Sequence, residues 1–302
     1  MTNKIDLPLL HHQAKYYYAN SLAINTRSTY SAGQLRFQSF CHSIQATCMP
    51  TSEATLILFA TYLASEKISH ATIKVYLAAI RNTHVSAGLH SHFHQQLTPR
   101  LQLILKGIKK TQAISQPAKT RLPITLNIMK NIKSMLSSQP NSYLHIMIWA
   151  ACCLAFFGFL RVSEFTVPGD NQFDESCHLS FNSISIDSRD NPNQLKVHIK
   201  QSKTDPFRRG VNIYLGATSD TICPVRGILP YLVLRGNHPG PLFIFKDGKG
   251  LTRHRFSTAL NNILLQLNLD KQQYNTHSFR IGAATSARQA NIPDSYIKML
   301  GR

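Results

Sequence analysis

The stretch ISIDSRDNPNQLKVHIKQSKTDPFRRGVNIYL, residues 184–215, departs from the helical periodicity of the rest of the sequence. Apolar residues alternate with polar ones at Leu195, Val197 and Ile199, and the alternation returns from Val211. A period of two is typical of a β-strand with one buried face. The polar segment QSKTDPFRRG separates the last two runs. The sequence therefore predicts three short strands, the last two joined as a hairpin.

The sequence on both sides of these strands has the periodicity of helices. Ile73, Leu77 and Ile80 lie four and three positions apart, which places them on one helix face. The stretch IMIWAACCLAFFGFL, residues 146–160, carries no charge, but it is shorter than the roughly 20 residues that cross a bilayer. We interpret it as a buried helix that ends at Arg161, with a membrane span as the weaker alternative.

The segment TQAISQPAKT, residues 111–120, is polar, contains a proline and lacks periodicity. These features indicate a linker. It divides a helical domain, residues 1–110, from a mixed domain, residues 121–302, whose first helix we expect to open at Pro123 with Thr125 as its cap. The predicted fold class is mainly α with a small antiparallel β-sheet.

The chain is strongly basic throughout its length. It has 302 residues with 33 Lys and Arg against 14 Asp and Glu, a formal charge of +19, of which residues 1–120 carry +9. Charge spread over both halves favours a polyanionic partner, although ribosomal and membrane-surface proteins share it. Exposed helix faces of the first domain carry the residues that we expect to bind DNA. These are Arg27, Lys74, Arg81, Lys106, Lys109 and Lys110.

The six cysteines form no C-x-x-C pair, and the first residues, MTNKIDLPLLHH, lack the apolar segment of a secretory signal. Both features favour reduced thiols in the cytosol or nucleus.

Four features of the second half could carry chemistry, and each alone is weak. In GFLRVSE, Arg161 and Glu164 are spaced to pair three positions apart. In THSFRIGAATSA, His277 and Arg280 lie three positions apart and so share one side of a helix start. Thr276 or Ser278 lies near the cap of this helix. The alanines that follow allow the helix to pack closely on its neighbours. Lys203 lies in the hairpin loop. The sequence ends in SYIKMLGR.

The order of these motifs resembles that of the tyrosine recombinase and integrase family. The order is RxSE, a hairpin lysine, HxxR and then LG. Six stretches are similar, more narrowly, to the recombinases of eukaryotic cryptons and related retroelements. They are TRSTYSAGQLRFQSFC, YLAAIRNTH, LPIT, SKTD, CPV and HSFRIGAAT. The likeness runs from about residue 20 to 302. It implies a SAM-like helical core-binding domain and a mixed α+β catalytic domain that close around duplex DNA, and a nuclear location in a eukaryote.

The resemblance also implies roles for individual residues. Arg161 and Arg280 would hold the scissile phosphate, since a guanidinium donates two parallel hydrogen bonds to phosphate oxygens. Lys203 would protonate the leaving 5′ oxygen, with Lys200 as the next candidate. His277 would act as general base or phosphate ligand, and Glu164 would position the first arginine and the histidine. The reaction joins DNA to a tyrosine through a 3′-phosphotyrosine, and it requires no cofactor, metal or small-molecule substrate.

The sequence departs from the family after LG. In most members His or Trp comes directly after LG, and the nucleophilic tyrosine comes nine residues further on. Here Arg302 follows LG. Tyr296 precedes LG and so does not match the nucleophile. We therefore expect the 302 residues to bind DNA without cleaving it, and we expect the family's tetramer on DNA only in a form that carries the missing segment.

Two further alternatives stay open at this point. His90, His92 and His94 alternate, which is a weak indication of a metal site because no cysteine or carboxylate lies nearby. A non-catalytic DNA-binding protein derived from a mobile-element recombinase would also fit the departure after LG.

Overall fold

The chain divides into two compact units, Met1–Ala118 and Lys119–Arg302, in a computed structural model. The structure describes residues 6–89, 98–115, 120–138, 142–188 and 190–302. The three alternating histidines, His90, His92 and His94, lie outside these ranges. Within them, no group of three or more His, Cys, Asp or Glu side chains is placed to hold a metal ion.

The first unit is built from helices. They are α1 (Leu7–Asn20), α2 (Ile24–Ser43), α3 (Glu53–Ser65), α4 (His70–Ser86) and α5 (Pro99–Ser115). Ser52 and Ser69 cap α3 and α4 by accepting hydrogen bonds from main-chain N–H groups of the first turn. The predicted face of α4 is buried at Ile73, Leu77 and Ile80.

Aromatic residues of α2 and α3 form the centre of this core. Phe37 and Phe59 meet edge to face with their ring centroids 5.0 Å apart. Leu101 and Leu105 of α5 complete the core, while Ile104 is partly exposed. Burial of these side chains supplies the main stabilising free energy of the unit.

The second unit combines helices with one small sheet. Its elements are α6 (Leu126–Ser137), α7 (Tyr143–Phe157), α8 (Val162–Phe165), a 3-10 turn (Phe181–Ser183), β1 (Ile184–Ile186), β2 (Gln194–Ile199), β3 (Val211–Gly216), α9 (Pro224–Arg235), α10 (Arg253–Gln266), α11 (Ser278–Gln289) and α12 (Asp294–Gly301). The strands are antiparallel in the order β1-β2-β3, and Val197 pairs with both Ile184 and Ile213. The predicted fold class and hairpin are thus confirmed.

Helix α7 lies at the centre of this unit, and nine of its fifteen residues are buried. It packs closely on α9, where a side chain at Gly227 would come within 2.5 Å of the Cys153 Sγ. No helix among the described residues is both long and apolar enough to cross a membrane.

Three predicted boundaries were wrong. Helix α5 extends to Ser115, five residues into the predicted linker. Helix α6 begins at Leu126 with Thr125 as its cap, so Pro123 lies outside it. Helix α7 ends at Phe157, so Arg161 does not end it.

Candidate functional site

The chain turns sharply between α7 and α8. Gly158 follows the last residue of α7, and Phe159 has a left-handed backbone with φ of 51°. This conformation is unfavourable for a residue with a side chain. The turn brings Arg161 to the residue before α8, where its main-chain N–H donates to the Glu164 Oε2 at 2.9 Å.

Glu164 connects two arginines. Its side chain is only 3% exposed, and its Oε1 accepts from the Arg161 Nη1 at 3.0 Å. Its Oε2 accepts from the Arg302 Nη2 at 3.2 Å. The predicted Arg161–Glu164 pair is present, but the second partner of Glu164 is Arg302. The described residues show no hydrogen bond between Glu164 and His277.

Arg280 reaches the same turn from the first turn of α11. Its Nη1 donates to the main-chain oxygen of Phe159 at 2.7 Å, and its Nη2 donates to that of Gly301. Burial is the largest effect lowering the pKa of Arg280, followed by the charge of Arg161. The guanidinium stays charged because its ordinary pKa lies far above neutral pH. Arg161 and Arg280 are therefore close neighbours, and their role on a phosphate stays a prediction.

Glycine fixes the position of α11. A side chain at Gly282 would overlap the main-chain oxygen of Ile124. Ile124 belongs to the segment before α6, and its N–H donates to the oxygen of Ser278 at 2.9 Å. The close approach therefore depends on Gly282, in addition to the alanines named from sequence.

His277 is the residue immediately before α11. Its main-chain N–H donates to the Asn275 Oδ1 at 2.9 Å, and its own side chain makes no cap hydrogen bond. Burial lowers its pKa below the ordinary value, and the charges of Arg280 and Arg161 lower it further. The imidazole is therefore neutral at pH 7, and it lies beside both arginines.

Arg302 completes the cluster. Its side chain is 9% exposed, and its Nη2 lies 3.4 Å from the oxygen of Gly158 and 3.5 Å from that of Phe159. Burial is the main cause that lowers its pKa, and Glu164 opposes this effect. Glu164 thus pairs with the guanidinium groups of Arg161 and Arg302, and the Nη2 of Arg161 also lies 3.4 Å from the main-chain oxygen of Arg302. The side chains of the cluster carry more positive than negative charge, so the cluster is chemically suited to bind an anion.

The lysine candidates lie in and beside the hairpin loop. Lys203 is exposed, and it makes no hydrogen bond or ion pair with any described residue of the cluster. Lys200 follows β2, and its Nζ donates to the main-chain oxygen of Glu175 at 2.5 Å. Tyr296 lies in α12 with its side chain exposed.

Basic side chains of α4 and α5 meet on the surface of the first unit. Burial lowers the pKa of His70, and the charges of Lys74 and Lys109 lower it further, which shows that both lysines lie near this histidine. The Gln112 Oε1 accepts from the main-chain N–H of His70 at 2.7 Å and holds the two helices together. The other residues that we expect to bind DNA are also exposed. They are Arg27, Arg81, Lys106 and Lys110.

Sequence reasoning missed the contributions of Phe159 and Arg302. The sequence shows that Arg302 stands where the family has His or Trp. A single residue at the end of a motif, however, gives no indication of its tertiary contacts. The main-chain oxygen of Phe159 is equally hidden, because hydrogen bonding by the backbone depends on conformation rather than on residue type.

No protein-family profile matches the chain. The chain is 24% identical over 292 residues to an integrase/recombinase xerD homolog of Selenomonas ruminantium, covering 93% of this chain and 78% of that protein. The chain is therefore similar in sequence, over nearly its whole length, to a protein named as an integrase/recombinase.

Solved structures of tyrosine recombinases share the fold. XerH site-specific recombinase, in a post-cleavage complex with palindromic difH substrate, has a TM-score of 0.62 at 16% identity and covers 91% of this chain and 72% of that one. A lambda integrase tetramer bound to a Holliday junction has a TM-score of 0.53 at 14% identity, covering 99% and 82%. The Tn1549 transposon integrase with transposon right end DNA has a TM-score of 0.55 at 11% identity, covering 96% and 89%.

Proposed function

We propose that this chain is a tyrosine recombinase that binds duplex DNA and holds the scissile phosphate between Arg161 and Arg280 for site-specific strand exchange. The observation that carries the proposal is the convergence of these two arginines with Arg302 at one turn, where Glu164 pairs with Arg161 and Arg302, and the oxygen of Phe159 accepts from Arg280. An excess of partly buried positive charge is costly unless an anion binds to it. The relative named for recombination and the neighbours solved with DNA support phosphate as that anion.

The two arginines would act on the transition state of strand cleavage. Negative charge grows on the non-bridging oxygens of the phosphate as the nucleophile attacks, and preorganised donors stabilise that charge. Glu164 accepts one hydrogen bond from the main-chain N–H of Arg161 and one from its Nη1, and the oxygens of Phe159 and Gly301 accept from the guanidinium of Arg280. Both guanidinium groups are therefore oriented before DNA binds.

Two other side chains would move protons. Neutral His277 would accept a proton from the nucleophile or donate a hydrogen bond to the phosphate. Lys203, on the exposed hairpin loop, would reach the leaving 5′ oxygen only once DNA is bound. Lys200 is less suited to that role because Glu175 already accepts a hydrogen bond from its Nζ.

The nucleophile belongs to the same proposal. The family places its tyrosine about nine residues after LG, which is past Arg302. Residues 1–302 would then form the phosphate site and bind DNA without forming a covalent bond to it. A form that includes the next residues of the reading frame would cleave, because an aligned nucleophile supplies effective molarities of roughly 10⁵ to 10⁸ M.

Nicked duplexes made from the DNA that flanks the gene test the proposal. Residues 1–302 should bind them yet leave no protein-linked DNA after denaturation in detergent, and the extended form should leave such an adduct. In the extended form, Arg161→Lys and Arg280→Lys should lower cleavage roughly 10²-fold or more while duplex affinity changes little. Equal losses of binding and cleavage would contradict the assigned roles. An adduct with residues 1–302 that Tyr296→Phe abolishes would identify Tyr296 as the nucleophile instead.

A leaving-group substitution tests Lys203. Lys203→Ala should lower cleavage of ordinary DNA by the extended form, and a 5′-bridging phosphorothiolate should restore it because a thiolate leaves without a proton. Lys200→Ala is the matched control and should leave cleavage of both substrates unchanged. Failure of the rescue would remove Lys203 from this role.

The proposed function also includes the origin, the cellular location and the assembly of the protein. We infer a crypton-like mobile element as the source on the motifs quoted above, and nuclear location follows if the host is a eukaryote. A homotetramer on DNA would form in the extended protein, as lambda integrase does on a Holliday junction. If the extended form binds specific DNA but never cleaves it, the chain is instead a non-catalytic DNA-binding protein derived from a recombinase.

A further inference from the structure

The loop that joins β2 to β3, residues 201–210, presents one aromatic ring to solvent. Phe207 is 78% exposed, and every other phenylalanine that the structure describes is buried or half-buried. A single exposed apolar side chain is common on protein surfaces, so the ring alone indicates no binding site. The surroundings of the ring decide what it can bind.

Hydrogen bonds hold the backbone on both sides of Phe207. The Oδ2 of Asp205 accepts from the main-chain N–H of Gly210 at 2.8 Å, and the main-chain oxygen of Asp205 accepts from the N–H of Arg208 at 3.3 Å. The N–H of Gly210 is also the main cause that lowers the pKa of the Asp205 carboxyl below its ordinary value. Phe207 is therefore presented by a hydrogen-bonded turn.

One face of the ring is already covered. The guanidinium carbon of Arg209 lies 5.5 Å from the ring centroid of Phe207, within the range of a cation–π interaction. Since the Phe207 side chain is largely exposed, the opposite face is open to solvent. A ring with one open face can stack on a single base, whereas a side chain that intercalates needs both faces free to separate two stacked base pairs.

The loop is also positively charged. It contains three basic residues, Lys203, Arg208 and Arg209, against one acidic residue, Asp205. The three basic residues are exposed, and none of them forms a salt bridge with a carboxylate of the described residues. An aromatic face beside free cations is complementary to a nucleobase and its phosphates, which is how many proteins bind single-stranded nucleic acid.

We propose that the open face of Phe207 stacks on an unpaired DNA base beside the strand break, while the basic side chains of the loop contact the adjacent phosphates. This inference rests on the proposed function, which places Lys203 of the same loop at the leaving 5′ oxygen. Strand exchange requires that bases next to the break leave their old partners before they pair with the new strand. Phe207 would hold one such base during this interval.

The affinity of residues 1–302 for two related DNAs tests the proposal. Both are nicked duplexes made from the DNA that flanks the gene, and they differ only in a short run of mismatched bases that begins at the 5′ end exposed by the nick. Phe207→Ala should weaken binding of the mismatched DNA about tenfold and leave binding of the paired DNA unchanged, because a paired base is already stacked within the helix. Phe207→Trp keeps an aromatic face and should bind both DNAs like the parent. Fluorescence anisotropy measures these affinities.

Tyr214→Ala is the matched control, since Tyr214 is an exposed ring on β3 of the same sheet. It should change the affinity for neither DNA. In Phe207→Ala, equal losses on both DNAs would mean that the ring contacts paired duplex, and unchanged affinity for both would mean that it contacts neither. Either result overturns the inference. If the parent itself binds neither DNA, the proposed function fails as well.

A fluorescent base reports the stacking directly. When 2-aminopurine replaces one mismatched base, its fluorescence falls as an aromatic ring stacks on it. The parent and Phe207→Trp should therefore quench it, and Phe207→Ala should not. Near-ultraviolet circular dichroism would verify that each variant is folded. Quenching to the same extent by the parent and by folded Phe207→Ala would overturn the inference.

Discussion

The Nη1 of Arg280 donates a 2.7 Å hydrogen bond to the main-chain oxygen of Phe159, a residue 121 positions earlier in the sequence. Phe159 presents that oxygen because its backbone is left-handed. The same conformation turns the chain from α7 toward Arg161 and Glu164. One unfavourable backbone conformation therefore orients both arginines of the proposed phosphate site, and functional sites are a common location for such strain.

Substitutions at Phe159 should reverse the usual order of alanine and glycine. Both Phe159→Ala and Phe159→Gly remove a largely buried ring, so each should destabilise the second unit by about 3 kcal/mol or more. Glycine tolerates a φ of 51° without penalty, whereas alanine does not. Phe159→Gly should therefore be about 1 kcal/mol more stable than Phe159→Ala in denaturant unfolding. The opposite order would show that the turn relaxes when the ring is removed.

Adding one methyl group at Gly282 should displace α11. The Cβ of Gly282→Ala would overlap the oxygen of Ile124, and hydrogen bonding to Ser278 restrains that segment. We expect a loss of stability of at least about 2 kcal/mol together with weaker phosphate binding, since His277 and Arg280 belong to the same helix start. Thermal unfolding and phosphate titration measure the two effects.

Gly107→Ala in α5 is the matched control for this substitution. A side chain there meets open space, so the change should stabilise the helix by up to about 1 kcal/mol. A Gly282→Ala variant as stable as the parent would mean that α11 and Ile124 are not packed as described.

The lysines beside His70 should contribute to the salt dependence of DNA binding. The logarithm of DNA affinity falls linearly with the logarithm of salt concentration. The magnitude of this slope decreases by about 0.9 for each DNA phosphate that the protein no longer neutralises. Lys74→Gln with Lys109→Gln should therefore lower it by about 1.8, measured by fluorescence anisotropy on a duplex of any sequence. Arg36→Gln is the control, because Arg36 already faces Glu66 at 3.8 Å, and it should change the slope less. An unchanged slope in the double variant would exclude this surface from the DNA interface.

DNA binding should strengthen at acidic pH through His277. In the free protein, burial and the charges of Arg280 and Arg161 lower its pKa. A bound phosphodiester places negative charge beside the imidazole and raises its pKa, so binding takes up a proton. Affinity should increase as the pH falls through the pKa of the bound state. DNA phosphodiesters do not titrate in this range.

Comparison of the parent with His277→Gln isolates this effect from that of His70 and His178, whose pKa values are also lowered. The variant should show a weaker pH dependence when affinity is measured between about pH 5 and 8, the range in which histidine changes its charge. Identical pH profiles would remove His277 from the phosphate site.

The sequence predicted the elements whose signal is local. Alternation in residues 194–199 and 211–216 located the hairpin, and the spacing of His277 and Arg280 located the start of α11. Tertiary contacts decided the rest. Helix α5 continues to Ser115 although TQAIS is polar, because Gln112 hydrogen-bonds to the main chain at Ile68 and His70. Pro123 lies outside α6, where the next residue, Ile124, donates its N–H to the oxygen of Ser278.

The contact between Arg280 and Phe159, and that between Arg302 and Glu164, also determine when the site can first exist during protein synthesis. Arg302 is 138 residues later in the sequence than Glu164. Domains generally fold as units, with the N-terminal one first. The basic surface of the first unit can therefore form while the arginine cluster still lacks two of its members. Under the proposed function, a nascent chain would be able to attach to nucleic acid before it is able to act on a phosphodiester.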